Sequence, residues 1–172
     1  SLLSRQSLLR QFNMPREIIP LSSVLANFFN FLIGWAAIYP LFLFFNPKII
    51  VLLPFLCLCV VLHLIFLCGL GLLVSILNVF YRDIEHLMGV LLMFWFWATP
   101  VFYSLDMVPE SLRWAFGFNP MSTYIIIYRE LLFRGEFPGF TSLGLACVWA
   151  AGSVILGLAV FSGLENKLLK RI

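Results

Sequence analysis

Apolar residues fill four long stretches of this chain, and short polar or charged interruptions separate them. The stretches are Ile18–Phe45, Ile49–Asn78, Leu87–Tyr103 and Phe140–Leu164. A helix of roughly 20 apolar residues crosses a hydrocarbon layer about 30 Å thick, so each stretch predicts a span, the third a short one. Asn46-Pro47-Lys48 ends the first span, and Tyr81, Arg82, Asp83 and Glu85 gather between the second and third, where they must meet water. The predicted architecture is an all-α integral membrane protein with about four transmembrane helices, forming a single domain over residues 1–172.

Residues 104–139 break this pattern. They are apolar in parts, but Met121–Phe133 is only about 20 Å long as a helix and contains Arg129 and Glu130, so it is not expected to span. Short re-entrant or interfacial helices on the outer side are predicted. Asn119-Pro120 suits a helix start, because Asn accepts from free amides and Pro needs no donor at the first position. Gly135 and Pro138-Gly139 mark the end.

Composition turns the pattern into a class. With 62% hydrophobic residues, 11% charged residues and a mean hydropathy of +1.03, too few charges remain to coat a water-facing exterior. The net charge of +3 does not indicate a nucleic-acid partner, because basic and aromatic residues are not interleaved along one stripe. The basic residues instead sort by side. Arg5, Arg10, Arg16, Arg82, Lys167, Lys170 and Arg171 outnumber Lys48, Arg113, Arg129 and Arg134. That imbalance predicts both ends in the cytoplasm and residues 104–139 outside. Cys57, Cys59, Cys68 and Cys147 all lie in apolar runs without metal or redox spacing, so they read as small hydrophobes and no metal site is predicted. The chain opens on Ser1 in mid-pattern, without a signal peptide, and is expected to be a fragment or a processed product.

The chemistry that is missing narrows the function. None of the three lysines follows a glycine, so the chain has no G-x-x-x-x-G-K-[ST] phosphate loop and no ATP hydrolysis by that route. No Asp or Glu lies inside a predicted span, which argues against a carboxylate that binds a coupling ion. His63 is the sole ionisable group in the second span, and reads as a packing histidine or as a relay. Asp83, Glu85 and His86 form the nearest approach to a catalytic group and more often mark a solvated interface. No catalytic residue is predicted. A membrane body without its own energy source is either passive or driven by a partner.

The run Leu77-Asn78-Val79-Phe80-Tyr81-Arg82-Asp83-Ile84, followed by Ala98-Thr99-Pro100-Val101-Phe102-Tyr103, resembles polysaccharide-exporting ABC permeases of type 2. Met14-Pro15-Arg16-Glu17-Ile18-Ile19-Pro20-Leu21-Ser22, Val108-Pro109, Phe118-Asn119-Pro120-Met121 and Tyr128-Arg129-Glu130 with Gly135 extend the resemblance along nearly the whole chain. It implies a six-span permease, preceded by an amphipathic helix, of which that helix and most of two spans are not in this sequence. It also implies a homodimer of permeases working with separate nucleotide-binding ATPase subunits. Mg-ATP would sit in those subunits, with no cofactor in this chain, and the pair would export O-antigen, capsular polysaccharide or teichoic acid on a polyprenyl-diphosphate carrier. The expected location is the bacterial inner (plasma) membrane. Export of a small molecule or drug, or a membrane-embedded glycosyl- or acyltransferase using Asp83, Glu85 and His86, are the alternative readings.

Within that resemblance, residues 4–13 occupy the place of a coupling helix that meets the ATPase. Leu8, Leu9 and Phe12 share one face, Arg10 stands on the polar side, and Pro15 beside Arg16 stops the helix. A membrane-surface helix without a partner is the plainer reading. Arg82 and Asp83 are placed near the ATPase contact or inner gate, or else pair together and cap the third span. Ser23, Asn27, Asn30 and Gly34 form a polar stripe on the first span that either packs against another helix or lines the conduit. Trp95, Trp97, Phe102 and Tyr103 offer flat faces to sugar rings, or belong to an aromatic belt at the headgroups. Arg129 and Arg134 meet a lipid diphosphate, or pair with Glu130 and Glu136.

Overall fold

The computed structural model describes residues 17–81, 83–103 and 107–169. The predicted coupling helix 4–13, with Leu8, Leu9, Arg10, Phe12, Pro15 and Arg16, lies outside the described residues, as does Arg82.

Two long helices make the frame, and glycine lets them approach. Helices α1 (Ile18–Phe45), α2 (Leu53–Phe80), α3 (Ile84–Trp97), α4 (Glu110–Gly117), α5 (Pro120–Arg129) and α6 (Gly139–Leu169) follow in order, with a 3-10 turn at Pro47–Ile50 and a π-helical turn, Glu130–Arg134, prolonging α5. A Cβ on Gly69 of α2 would strike the Ser153 backbone of α6, and one on Gly157 would strike the Gly69 carbonyl. The two backbones therefore touch, as small residues allow in a bilayer where apolar side chains gain little by leaving lipid. One core joins Leu56, Cys59 and Phe66 of α2 to Tyr124 and Ile127 of α5, Leu131 of the π turn, and Ala146 and Ala150 of α6. A smaller cluster of Leu72, Ile76 and Phe161 lies at the other end.

The helix ends fall into two groups. At one end the Asn46 side chain fills the space beside Gly135, whose φ of 64° puts it in the left-handed region, and Phe55 stacks edge-on with Phe137 at 4.8 Å. At the other end Leu21 of α1, Phe80 of α2 and Phe161 of α6 pack together, close to the start of α3.

Among the described residues, α1, α2 and the Gly139–Leu164 part of α6 are long and apolar enough to cross a membrane, whereas α3 is apolar but has 14 residues. The fold is all-α, as predicted, but several boundaries move. Ile49 and Ile50 belong to the 3-10 turn, so α2 starts at Leu53 rather than 49, and it runs on to Phe80. The predicted span 87–103 is helical over Ile84–Trp97 only, about 21 Å at the helical rise. Its last six residues leave the helix because Pro100 has no amide to donate and the Thr99 hydroxyl turns back to the Trp95 carbonyl at 2.7 Å. In segment 104–139 the structure places α4, α5 and the π turn, and the last helix extends from Gly139 to Leu169, beyond the predicted 140–164.

Burial is unequal. Helix α2 buries seven residues, α1 buries Pro20 and Phe28, and α3 buries none. The outward faces of α1 and α3 are thus apolar surfaces for lipid or for other protein.

Candidate functional site

The segment from α4 to the π turn packs among α1, α2, α3 and α6, and Asn119 ties it down. The Asn119 side chain accepts from the Met121 amide at 3.1 Å, capping α5 as predicted, and from the Trp95 indole N–H at 2.8 Å. Its Nδ2 donates to the Ala98 carbonyl at 3.2 Å and the Thr99 hydroxyl at 3.1 Å. One amide therefore satisfies both the free start of α5 and the free end of α3.

Arg129, ten residues further on, completes the same task. Its Nη2 donates to the carbonyls of Pro100 at 2.8 Å and Val101 at 3.2 Å, and its Nη1 to that of Tyr103 at 3.2 Å. Non-helical backbone at membrane depth persists only where protein groups replace water, and the guanidinium fork supplies three donors at once. Arg129 thus turns three of its five N–H donors to carbonyls of the 100–103 stretch of chain. Glu130 heads the π turn with Oε2 buried and unpartnered. Burial pushes its carboxyl above the usual range, Glu136 adds to that, and the Arg134 charge opposes it.

Deeper, Tyr124 is fully buried with its hydroxyl within reach of the Leu62 and Ala146 carbonyls, at 3.3 and 3.1 Å. His63 stacks on Tyr124 with ring centroids 4.8 Å apart, and its Nδ1 lies 3.2 Å from the Tyr128 hydroxyl. Phe28 and Phe31 close the other sides edge-on. His63 is therefore a histidine boxed in by aromatic rings. Next to it a cavity of about 430 Å³ runs between α1, α2 and α5, with Trp35, Tyr128 and Arg129 among its walls.

The sequence-predicted residues part company here. Trp95 is committed to Asn119, and the Tyr103 hydroxyl leans on the Trp97 carbonyl at 3.4 Å. Trp97 and Phe102 are 62% and 78% exposed, with Phe96 edge-on between them. Asn27 and Asn30 lie exposed with Ser23 and Gly34 on one face of α1, and the Asn27 amide donates to the Ser23 carbonyl of its own helix at 2.9 Å. At its Ser23 end the stripe borders a cavity shared with Ser75 and Asn78 of α2, whereas Asn27, Asn30 and Gly34 stay exposed. Asp83 is exposed and makes no side-chain cap on α3, contrary to the capping alternative. Glu85 lines a second cavity of about 330 Å³ with Ser23, Ser75 and Asn78 at that end. Among the described residues no cluster of His, Cys, Asp or Glu could hold a metal ion.

Sequence reasoning named Thr99 and Tyr128 only inside longer motifs and did not name Tyr124. The signal for the first was the Thr-Pro pair itself; for the tyrosines it was their spacing by four, which puts both hydroxyls on one face of α5.

Comparison with known proteins adds a family to this geometry. The pattern described as ABC-2 type transporter matches residues 5–133. An O-antigen export system permease protein RfbA of Klebsiella pneumoniae is 29% identical over 172 positions, which cover 97% of this chain and 64% of the relative. A second protein of the same name and organism is 27% identical over the same shares. One from Myxococcus xanthus is 28% identical, covering 87% of this chain and 61% of its own length. The chain thus spans somewhat under two thirds of the relatives it matches.

Proposed function

Because this chain belongs to the ABC-2 type transporter family, we propose that it is the membrane-spanning part of an ATP-driven exporter, moving a polyprenyl-diphosphate-linked polysaccharide outward. The observation that carries this reading is the alignment, through 87–97% of the chain, with permeases named for O-antigen export. O-antigen, capsule and teichoic acid share the carrier chemistry and define the substrate class.

Energy comes from separate nucleotide-binding subunits, which engage the cytoplasmic segments at residues 4–13 and 82–83, and two permeases form the conduit. The distribution of basic residues supports an orientation with the Asp83 end of the bundle in the cytoplasm and Asn46 and Gly135 outside, and the membrane of this reading is a bacterial inner membrane. The unburied faces of α1 and α3 support an assembly larger than this chain. Trp97 and Phe102 are placed to meet sugar, since exposed ring faces suit the C–H faces of a sliding polymer. The exposed amides Asn27 and Asn30 offer hydroxyl partners. Trp95 and Tyr103 serve the wall behind them.

The test is complementation of a permease-deleted bacterium, read by immunoblot of surface polysaccharide and by copurification of the ATPase. The wild-type gene is expected to restore polymer and recover the ATPase. Trp97→Ala and Phe102→Ala are expected to lower export while the protein accumulates at normal levels. Full restoration of export by the double variant would remove the aromatic conduit, and a wild-type permease that recovers no ATPase would sink the pump.

A further inference from the structure

The cavity beside His63 is long rather than round. Its α1 wall is Phe31, Trp35, Ile38 and Phe42, spaced by four, three and four, a single helical face rising about 16 Å from first to last. That is half of a hydrocarbon layer about 30 Å thick. With Phe42 near Asn46 at the outer end and Phe31 against His63 near the middle of α2, the groove spans the outer leaflet and runs parallel to its lipid tails. Rings of Phe42 and Phe133, 4.9 Å apart, close its top. Its flank is open to lipid beside Ile38 and Phe133, both more than half exposed.

Two polar fixtures interrupt the apolar wall. His63 is 8% exposed and its Nε2 is buried without a partner. In the tautomer that takes the Tyr128 O–H at Nδ1, the N–H stands at Nε2. Arg129 lines the groove further along, and its three carbonyl bonds use one N–H of Nη1 and both of Nη2. A charge-assisted donor toward the headgroup side and an unpaired N–H in an aromatic box at the bottom describe a ligand: an anionic head, and a hydrocarbon tail with π electrons. A saturated acyl chain leaves the His63 N–H orphaned, whereas an isoprenoid offers a double bond in each unit as a weak acceptor, and its branching methyls key between ring edges.

We propose that this groove seats the isoprenoid tail of the lipid-linked substrate in the outer leaflet, with its phosphate drawn toward Arg129. The assignment rests on the exporter reading above and adds where the carrier is held as its polymer leaves.

The test uses the complete permease with its ATPase in proteoliposomes and two photoreactive probes, a diazirine-bearing polyprenyl phosphate and phosphatidylglycerol with a diazirine on one acyl chain. Labelled peptides are mapped by mass spectrometry. The polyprenyl probe is expected to label residues 31–42 and 120–134, and excess unlabelled polyprenyl phosphate, but not phosphatidylglycerol, to suppress it. Ile125→Trp, and independently Val101→Phe, fill the groove from different walls and are expected to abolish that labelling at an unchanged melting temperature. His63→Phe keeps the ring and removes the N–H, and is expected to weaken labelling by the polyprenyl probe. Labelling by the phosphatidylglycerol probe alone, or undiminished labelling in both filled variants, overturns the tail seat. A complex that exports polymer yet leaves the groove unlabelled overturns the seat and leaves the exporter standing. Failure of both export and labelling in the wild type overturns both.

Discussion

The indole N–H of Trp95 points at the side-chain oxygen of Asn119 across 2.8 Å, joining the last turn of α3 to the first of α5. The same oxygen accepts from the Met121 amide, and the same amide nitrogen serves Ala98 and Thr99. Few of the described residues have so many partners, and none of these is replaced by water at membrane depth.

Asn119→Ala is therefore expected to destabilise the protein by about 3 kcal/mol, from a lost cap and from donors and acceptors left bare. Asn119→Asp keeps the acceptor for Trp95 and Met121 but loses the donations of Nδ2, so it should fall between. Melting in detergent, followed by intrinsic tryptophan fluorescence, reads both. Equal melting temperatures for Ala and wild type would show that the knot is not holding the two helices.

Arg129 tests the same argument from the other side. Arg129→Met removes the donors for three carbonyls and is expected to cost about 2–4 kcal/mol, while Arg129→Lys, a point charge without the fork, recovers only part. Proteolysis of the outer loop in intact right-side-out vesicles should rise in the order wild type, Lys, Met. If Lys matches the wild type, charge rather than fork geometry holds the 100–103 carbonyls.

How far the sequence could be read depends on the range of the interaction. The first helix is legible residue for residue, because Glu17 and Asn46 bracket an unbroken apolar run and α1 is Ile18–Phe45. The end of α3 is not, since hydropathy counts Ala98–Tyr103 as span while the donors that let the backbone leave the helix come from Asn119 and Arg129, more than 20 residues away. The α1 stripe of Ser23, Asn27, Asn30 and Gly34 is legible as one face from its spacing alone, and it is one exposed face. Its neighbours are not legible, because a helical period says nothing of which side meets α2. Trp95 and Trp97 look alike in sequence, but one indole finds Asn119 and the other stays exposed; two positions on a helix turn the side chains by about 200°.

Glu130 carries the pH dependence of the π turn it heads. Burial raises its folded pKa above the unfolded value, so its contribution to stability is complete below the ordinary carboxylate range and is lost as pH rises through the raised value. The melting temperature should fall over that interval in the wild type. Glu130→Gln, which stays neutral, should flatten the fall and melt higher than the wild type at neutral pH. A Gln variant with the wild-type slope would assign the titration elsewhere.

The α2–α6 contact gives the sharpest contrast, because it compares glycines that differ only in what surrounds them. A methyl on Gly69 meets the backbone of Ser153 and Val154, and one on Gly157 meets the Gly69 carbonyl, neither of which can turn aside as a side chain would. Either Ala variant must push the helices apart, at an expected cost of about 1–3 kcal/mol, with the larger part at Gly69, where three backbone atoms stand in the way. Gly89 on α3 and Gly152 on α6 have nothing within 4 Å of an added Cβ. Alanine there should leave stability unchanged or raise it by up to about 1 kcal/mol through helix propensity. Melting of the four single variants in one detergent decides the matter. If Gly69→Ala melts with Gly152→Ala, the two helices do not touch at this crossing. If Gly69→Ala and Gly157→Ala are each destabilised and the double variant loses less than their sum, the two share one contact, since helices already parted by the first methyl accommodate the second.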